Sequence, residues 1–405
     1  MSATRAMDWR TPLAVTMFIQ TILSLLSRVI PTIAPTLLPQ AGLDPSLVGL
    51  FDAMNTIGAM IFLVAGTPLI RHSGNIRTLQ IGLLLGVAGL GLLVFPFWLP
   101  IALMNLLCGC GYGTSAPAGS DLLLRYSPAH RRTLIFSIKQ AAVPLAGIVA
   151  GVALPFFVAH TGLPGTIAIL MLVTLASALL VQPVRDKLDR DRDPRQPLGF
   201  NIFLSAGNLS APFRCVARSP RLVQMSFVAF CNSVGQGVIY AYLITYLVAS
   251  LHFDLQVAGT IFAVLQVSGV VGRVLLGWLA DRFNASMAIL RASSLTSALA
   301  VAAFAFSSAA WPPAAFILLA SISGLACASW AGICLAEAAR AALPGEVSEA
   351  TSGVTLVYYI GFVIGPVLFA GLLGLSDSYR LGLLITAALT ACGALRLAVR
   401  PRQGG

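Results

Sequence analysis

The chain has 405 residues, 58% of them hydrophobic and only 10% charged, with a formal net charge of +11. Soluble domains carry about 25% charged residues, so a large soluble core is excluded. The apolar residues fall instead in runs long enough to cross a hydrocarbon layer of about 30 Å.

Twelve membrane spans are predicted, at 12–38, 46–70, 78–96, 99–125, 133–159, 164–183, 221–250, 256–281, 286–308, 311–341, 349–374 and 378–399. With the N-terminus inside, 21 of the 25 Lys and Arg lie on inner loops, tails and span ends. Arg380 alone lies outside, and Arg28, Lys139 and Arg273 lie within spans. This asymmetry is the positive-inside pattern. It puts both termini in the cytoplasm, matches the basic surface to anionic inner-leaflet lipid, and removes the case for nucleic acid. The first apolar run lacks a small-residue cleavage site and exceeds a signal-peptide core, so it is expected to stay as span one. The seven Cys form no C-x-x-C pair and are read as small apolar filler.

In span one, Gln20, Ser24, Ser27 and Arg28 recur at three- and four-residue spacing and so form one polar stripe. Asp52 in span two is the acid expected to face Arg28, since both lie below the outer ends of adjacent spans, at about 9 and 15 Å by helical rise. Span four offers Asn105 and Tyr112 and ends in Asp121 and Arg125, four apart on one face. Span five holds Lys139. Residues 184–220, beginning VRDKLDRDRDPRQP, are read as a cytoplasmic linker between an N-terminal half (1–183) and a C-terminal half (221–405).

In the second half, Asn232, Gln236 and Tyr240 share one face of span seven, and Gln266 precedes Arg273 on span eight. Span ten brings Trp330 and then Glu337 and Arg340, which share a face near its inner end; span eleven brings Tyr358 and Tyr359. An intramembrane cation costs about 2.5–3.5 kcal/mol at the helix centre on insertion scales and marks a functional site by default. Arg28, Lys139 and Arg273 are therefore the expected anion ligands. Gln20, Asn232, Gln236, Tyr240, Gln266, Tyr358 and Tyr359 complete the site, and Asp52 is the expected proton-coupling acid. Arg suits a carboxylate because its fork donates two parallel hydrogen bonds.

The halves look duplicated. CGCGYGTSAPAGSDLLLRYSPAHRR (108–132) pairs with SGLACASWAGICLAEAARAALPGE (323–346), with Gly109 meeting Gly324 and Arg125 meeting Arg340 at a constant offset of 215. Internal repeats are a mark of secondary transporters. The loop after span two has Gly66 and Arg71 in the positions of a G-x-x-x-D-R-x-G-R-R motif, with Ile70 where the acid belongs and Gly74 and Arg77 following one and two positions late; after span eight, Gly277, Asp281 and Arg282 match its first part. On these residues the whole chain resembles the major facilitator superfamily. The resemblance implies an all-α fold of twelve transmembrane helices in two pseudo-symmetric six-helix bundles. It also implies a cytoplasmic gate made of Gly66, Arg71, Gly74, Arg77, Asp121 and Arg125 in one half and Gly277, Asp281, Arg282, Glu337 and Arg340 in the other. GRVLLGWLADR resembles the span-eight arginine segment of the oxalate–formate and monocarboxylate groups, and LSRVIPTIAPTLLPQ resembles the cyanate-porter group.

No nucleotide-binding loop, G-x-S-x-G or H-E-x-x-H is present, and His72, His130, His160 and His252 have no metal-ligand spacing. No enzyme, cofactor or metal is expected. The expectation is a monomeric, multi-pass inner-membrane carrier of a small organic or inorganic anion, proton-coupled or exchanging, with membrane lipid as its other partner. Proton-coupled efflux of a drug or hydrophobic compound is the alternative, which Asn105 disfavours by standing where that group has an Arg in span four.

Overall fold

The computed structural model describes residues 9–128, 135, 138–190, 192, 195, 213–342 and 347–398. Among these all regular structure is helical. In chain order the helices are α1 (Arg10–Ser27), α2 (Val29–Gln40), α3 (Val48–Ala65), α4 (Thr67–Ser73), α5 (Asn75–Leu92), α6 (Trp98–Gly113), α7 (Ser115–Tyr126), α8 (Ala142–Leu180) and α9 (Gln182–Leu188). After the linker come α10 (Pro220–Ala249), α11 (Leu255–Arg282), α12 (Ser286–Ala305), α13 (Pro313–Cys327), α14 (Trp330–Ala341), α15 (Val347–Ser376) and α16 (Tyr379–Arg396). Most of the linker, both chain ends and the side chain of Asp281 lie outside the described residues.

Nine helical stretches among the described residues are long and apolar enough to cross a membrane. One of them, 138–180, holds two spans, because Gly162 breaks it with φ 68° and ψ 179°. Span four falls below the length limit because it is split into α6 and α7, and α16 supplies span twelve. The fold is therefore the twelve-span all-α one.

Spans one, four and ten are broken, each for a readable reason. Span one stops at Ser27 and resumes at Val29. Pro31 has no N–H for the Ser27 carbonyl and its ring crowds that oxygen, so Arg28 caps α1 through a 2.9 Å bond from its N–H to the Leu25 carbonyl. Span four breaks at Thr114, where Pro117 orphans the Gly113 carbonyl in the same way. The hydroxyls of Thr114 and Ser115 donate back to Gly111 and Tyr112 carbonyls at 2.8 and 2.7 Å, a habit that bends helices. Span ten breaks at Ala328 and Ser329 with no proline nearby; there the Ser329 hydroxyl donates to the Leu325 carbonyl at 2.6 Å.

Contacts divide the chain into two compact units. The first comprises residues 1–29, 57–147 and 157–204. Its spans cross at glycines: a Cβ on Gly58 would lie 2.2 Å from the Leu106 carbonyl, and one on Gly111 2.5 Å from that of Gly82. The second unit comprises 30–56, 148–156 and 205–405. Gly151 and Gly259 meet back to back in it, with each carbonyl 2.1–2.5 Å from where the other's Cβ would stand. The Tyr242 hydroxyl donates to the Ser46 carbonyl at 2.6 Å. Span seven is the most enclosed element, 89% of its most apolar stretch being buried. Large apolar side chains that face outward, such as Leu172, Leu179, Val274 and Leu299, suit lipid contact.

Candidate functional site

The first unit buries the polar stripe of span one. Gln20 and Ser24 are 3% and 2% exposed. The Gln20 amide donates to Gln140 Oε1 at 3.1 Å, while Gln20 Oε1 and Ser24 Oγ are buried with no hydrogen-bond partner among the described residues. Buried polar atoms in native proteins are nearly always satisfied, so this face has capacity for a polar visitor. Arg28 stands half-buried at the break in span one. Lys139 is 2% exposed and donates from Nζ to the Ser115 carbonyl at 3.0 Å. Asp52, in the second unit, is 8% exposed.

In the second unit three elements build an aromatic cluster. Trp330 opens α14 directly after the span-ten break and is 1% exposed. Its indole N–H donates to Gln236 Oε1 of span seven at 3.0 Å. Its ring meets Tyr358 edge-on at 5.6 Å, and Tyr358 stacks on Tyr359 at 5.1 Å and 27°. Phe362 closes the group against both tyrosines. On the other side of the break, Arg273 Nε donates to the Ala328 carbonyl at 2.9 Å. Arg273 is otherwise exposed, and its Nη groups have no partner among the described residues. The carbonyl that receives Arg273 thus lies two residues before Trp330, the first aromatic of the cluster.

The other site residues of the second half have tighter local roles. Asn232 donates to Ser294 Oγ at 2.9 Å and so ties span seven to span nine. Tyr240 packs edge-on to Phe262 of span eight, and Gln266 is 2% exposed. On spacing alone Trp330 is one more residue of span ten and has no assigned place in the site. The signal for it lay in the repeat, which puts it opposite Ser115 at the break of span four.

At the inner ends the charged pairs recruit partners that spacing does not reveal. Asp121 accepts from Arg125 at 2.6 Å and from the Asn75 amide at 2.7 Å. Glu337 accepts from Arg340 at 2.5 Å and from Arg221 of span seven at 3.3 Å, and Arg340 also reaches Ser286 at 3.2 Å. Arg71 and Arg282 are exposed. Gly66 closes against the Phe62 ring, whereas a Cβ on Gly277 would meet nothing within 4 Å.

The acid missing at Ile70 has a substitute from elsewhere in the chain. Asp189, just after α9, accepts from the backbone N–H groups of Ile76 and Arg77 at 2.8 and 2.9 Å. It caps the start of span three. Gly74, at φ 90°, makes the room, since a Cβ there would lie 2.4 Å from the Asp189 carboxyl carbon. Burial pushes this carboxyl above the usual Asp range, against the two N–H bonds and the charges of Arg185 and Arg192. A raised native pKa means that the fold binds the proton more tightly than the unfolded chain does. This group's contribution to stability is therefore greatest below the ordinary Asp range and falls as pH rises through the raised value. Losing a cap costs about 1 kcal/mol, so Asp189→Ala should lower the melting temperature in a thermal-unfolding assay. Asp189→Asn, neutral and still an acceptor, should cost about half of that or less; equal losses in the two would contradict the assignment.

Comparison with known proteins agrees with this architecture. The model of the Major Facilitator Superfamily matches residues 16–336 and 225–404. A gallate transporter of Pseudomonas putida is 24% identical over 65% of this chain, and the 4-hydroxybenzoate transporter PcaK of the same organism is 25% identical over 62%. The chain spans 64% and 62% of those two transporters' lengths. A probable sulfoacetate transporter of Cupriavidus necator is 25% identical over 89% of this chain and 86% of its own. Among solved structures, a POT family transporter in complex with 5-aminolevulinic acid superposes with a TM-score of 0.76 at 13% identity, over 95% of this chain and 94% of that one. A bacterial homologue of the lysosomal transporter Spinster does so at 0.72 and 15%, over 98% and 97%. The twelve spans, the repeat that breaks spans four and ten at matching positions, and a family match over most of the sequence converge: this chain belongs to the major facilitator superfamily and is a multi-pass membrane protein.

Proposed function

We propose that this transporter moves a small organic anion with a flat ring, a hydroxybenzoate-like carboxylate, across the bacterial inner membrane by alternating access of the halves 1–183 and 221–405. The observation that supports the reading is the span-ten break, where Arg273 bonds the Ala328 carbonyl two residues before Trp330, which itself clusters with Tyr358, Tyr359 and Phe362. A guanidinium pairs with a carboxylate, and offset or edge-on aromatic contacts hold a ring. The names of the gallate and 4-hydroxybenzoate relatives support this substrate class. Within the first unit, the unmet acceptors Gln20 Oε1 and Ser24 Oγ are by themselves of a kind that suits hydroxyl groups. Arg28 adds positive charge in the first half, and Asp52 is the acid assigned to proton coupling. The 21-to-1 split of basic residues supports cytoplasmic termini.

The test is uptake by proteoliposomes under an imposed proton gradient, with labelled 4-hydroxybenzoate, gallate, sulfoacetate and cyanate compared against a cationic dye. Accumulation of the ring acids above the other two anions is the expected result. Movement of the dye with none of the anions would replace this reading with hydrophobic-compound efflux.

A further inference from the structure

Lys139 and Arg273 lie on different spans, five and eight, yet each donates to a backbone carbonyl at the break of a matching helix. Lys139 bonds Ser115, the first residue after the break in span four, and Arg273 bonds Ala328, the residue that caps α13 at the break in span ten. The two breaks correspond in the repeat: Thr114 and Ser329 are 215 residues apart, as are Gly109 and Gly324. Each break also contains a hydroxyl that captures a carbonyl one turn back. A broken helix leaves carbonyls without intrahelical donors and a partial negative charge at the end of its first segment. Arg273 answers both at Ala328, whereas Lys139 adds a second donor to the carbonyl that opens α7. A glycine makes each approach possible. A Cβ on Gly119 would stand 2.7 Å from Lys139 Cε and 2.9 Å from Nζ, and a Cβ on Gly272 would stand 2.4 Å from Ser329 Oγ.

We propose that Lys139 and Arg273 are staples that hold the mid-span breaks of spans four and ten in their bent form, and that transport turnover depends on both bends. Lys139 is a positioning residue: sealed from solvent and committed to the Ser115 carbonyl, it acts on transport through span four and not by touching the substrate. Arg273 has the two tasks at once, Nε on the break and Nη toward the anion, so substrate capture is linked to the shape of span ten. The inference rests on the proposed substrate only for its uptake arm.

The experiment uses the full chain in nanodiscs, with backbone hydrogen exchange read by mass spectrometry. Lys139→Met should speed exchange at 114–119 about tenfold, as expected for local opening, and leave 328–333 at the wild-type rate. Gly119→Ala keeps the charge and displaces only the flexible end of the Lys139 side chain, so it should act in the same direction. Arg273→Gln should reverse the pattern, with 328–333 faster and 114–119 unchanged. Arg273→Lys keeps a charged donor and should stay close to wild type. In proteoliposomes, Lys139→Met should lower the maximum rate of 4-hydroxybenzoate uptake about tenfold with KM unchanged, the split that separates positioning from binding. Unaltered exchange at 114–119 in both Lys139→Met and Gly119→Ala would overturn the proposal, as would a raised KM with an intact maximum rate. If the wild type moves no 4-hydroxybenzoate, the substrate assignment fails, and the exchange measurements alone decide on the staples.

Discussion

Arg273→Ala is expected to raise the KM for 4-hydroxybenzoate roughly 10- to 150-fold, because a hydrogen bond to a charged group is worth about 1.5–3 kcal/mol and its loss leaves the partner unpaired. Two separable losses contribute. The carboxylate loses the Nη fork, which weakens binding. The Ala328 carbonyl loses Nε, which frees span ten and lowers the maximum rate. Arg273→Lys should restore much of the rate and little of the affinity, since an ammonium can reach a carbonyl but cannot present two parallel donors. Trp330→Phe probes the neighbouring wall: it keeps a ring against Tyr358 but removes the N–H that Gln236 accepts. It should shift the preference between hydroxylated and plain benzoates more than it changes the overall rate. A wild-type KM in Arg273→Ala would remove this residue from the binding site.

Gly259→Leu should abolish uptake. Its neighbour is the Gly151 backbone, 2.1 Å from the position of the new Cβ, and a backbone carbonyl cannot swing aside as a side chain can. Overpacking costs about 1–3 kcal/mol even where side chains adjust. Here spans five and eight must separate, and Arg273 on span eight moves with them. Gly259→Ala should be intermediate, at about a tenth of the wild-type rate if the strain approaches 1.4 kcal/mol in the transport cycle. Gly371→Ala is the control, because a Cβ there meets nothing within 4 Å. Uptake rates with the expression level and melting temperature of each variant measure the effect; normal transport by Gly259→Leu would show that this crossing opens freely.

Sequence alone determined the span count, the repeat between 108–132 and 323–346, the inner charged pairs and the positions of Arg28, Lys139 and Arg273 within apolar runs. These are local properties. A run of about 20 apolar residues is recognisable without knowing its neighbours, and a spacing of three or four residues puts Asp121 beside Arg125 and Glu337 beside Arg340 whatever surrounds them. Pro31 and Pro117 are visible in the sequence, but membrane helices tolerate proline, and only the structure shows that spans one and four break there. The tertiary structure alone decided the partners that come from elsewhere in the chain. Asp189, set in a charged stretch that resembles a solvated tether, caps span three 112 residues away. Arg221 joins Glu337, and Asn75 joins Asp121. Span ten breaks without a proline because Ser329 and Arg273 draw off its carbonyls. Lys139 carries an intramembrane charge, and spacing suggested a bare cation facing an anion. Its donor instead meets the Ser115 carbonyl, because Gly119 lets span five approach the first turn of α7. Which carbonyl lies within 3 Å of a buried ammonium depends on how closely two helices cross. That distance is set by glycines on the facing helix, which no periodicity within one helix records.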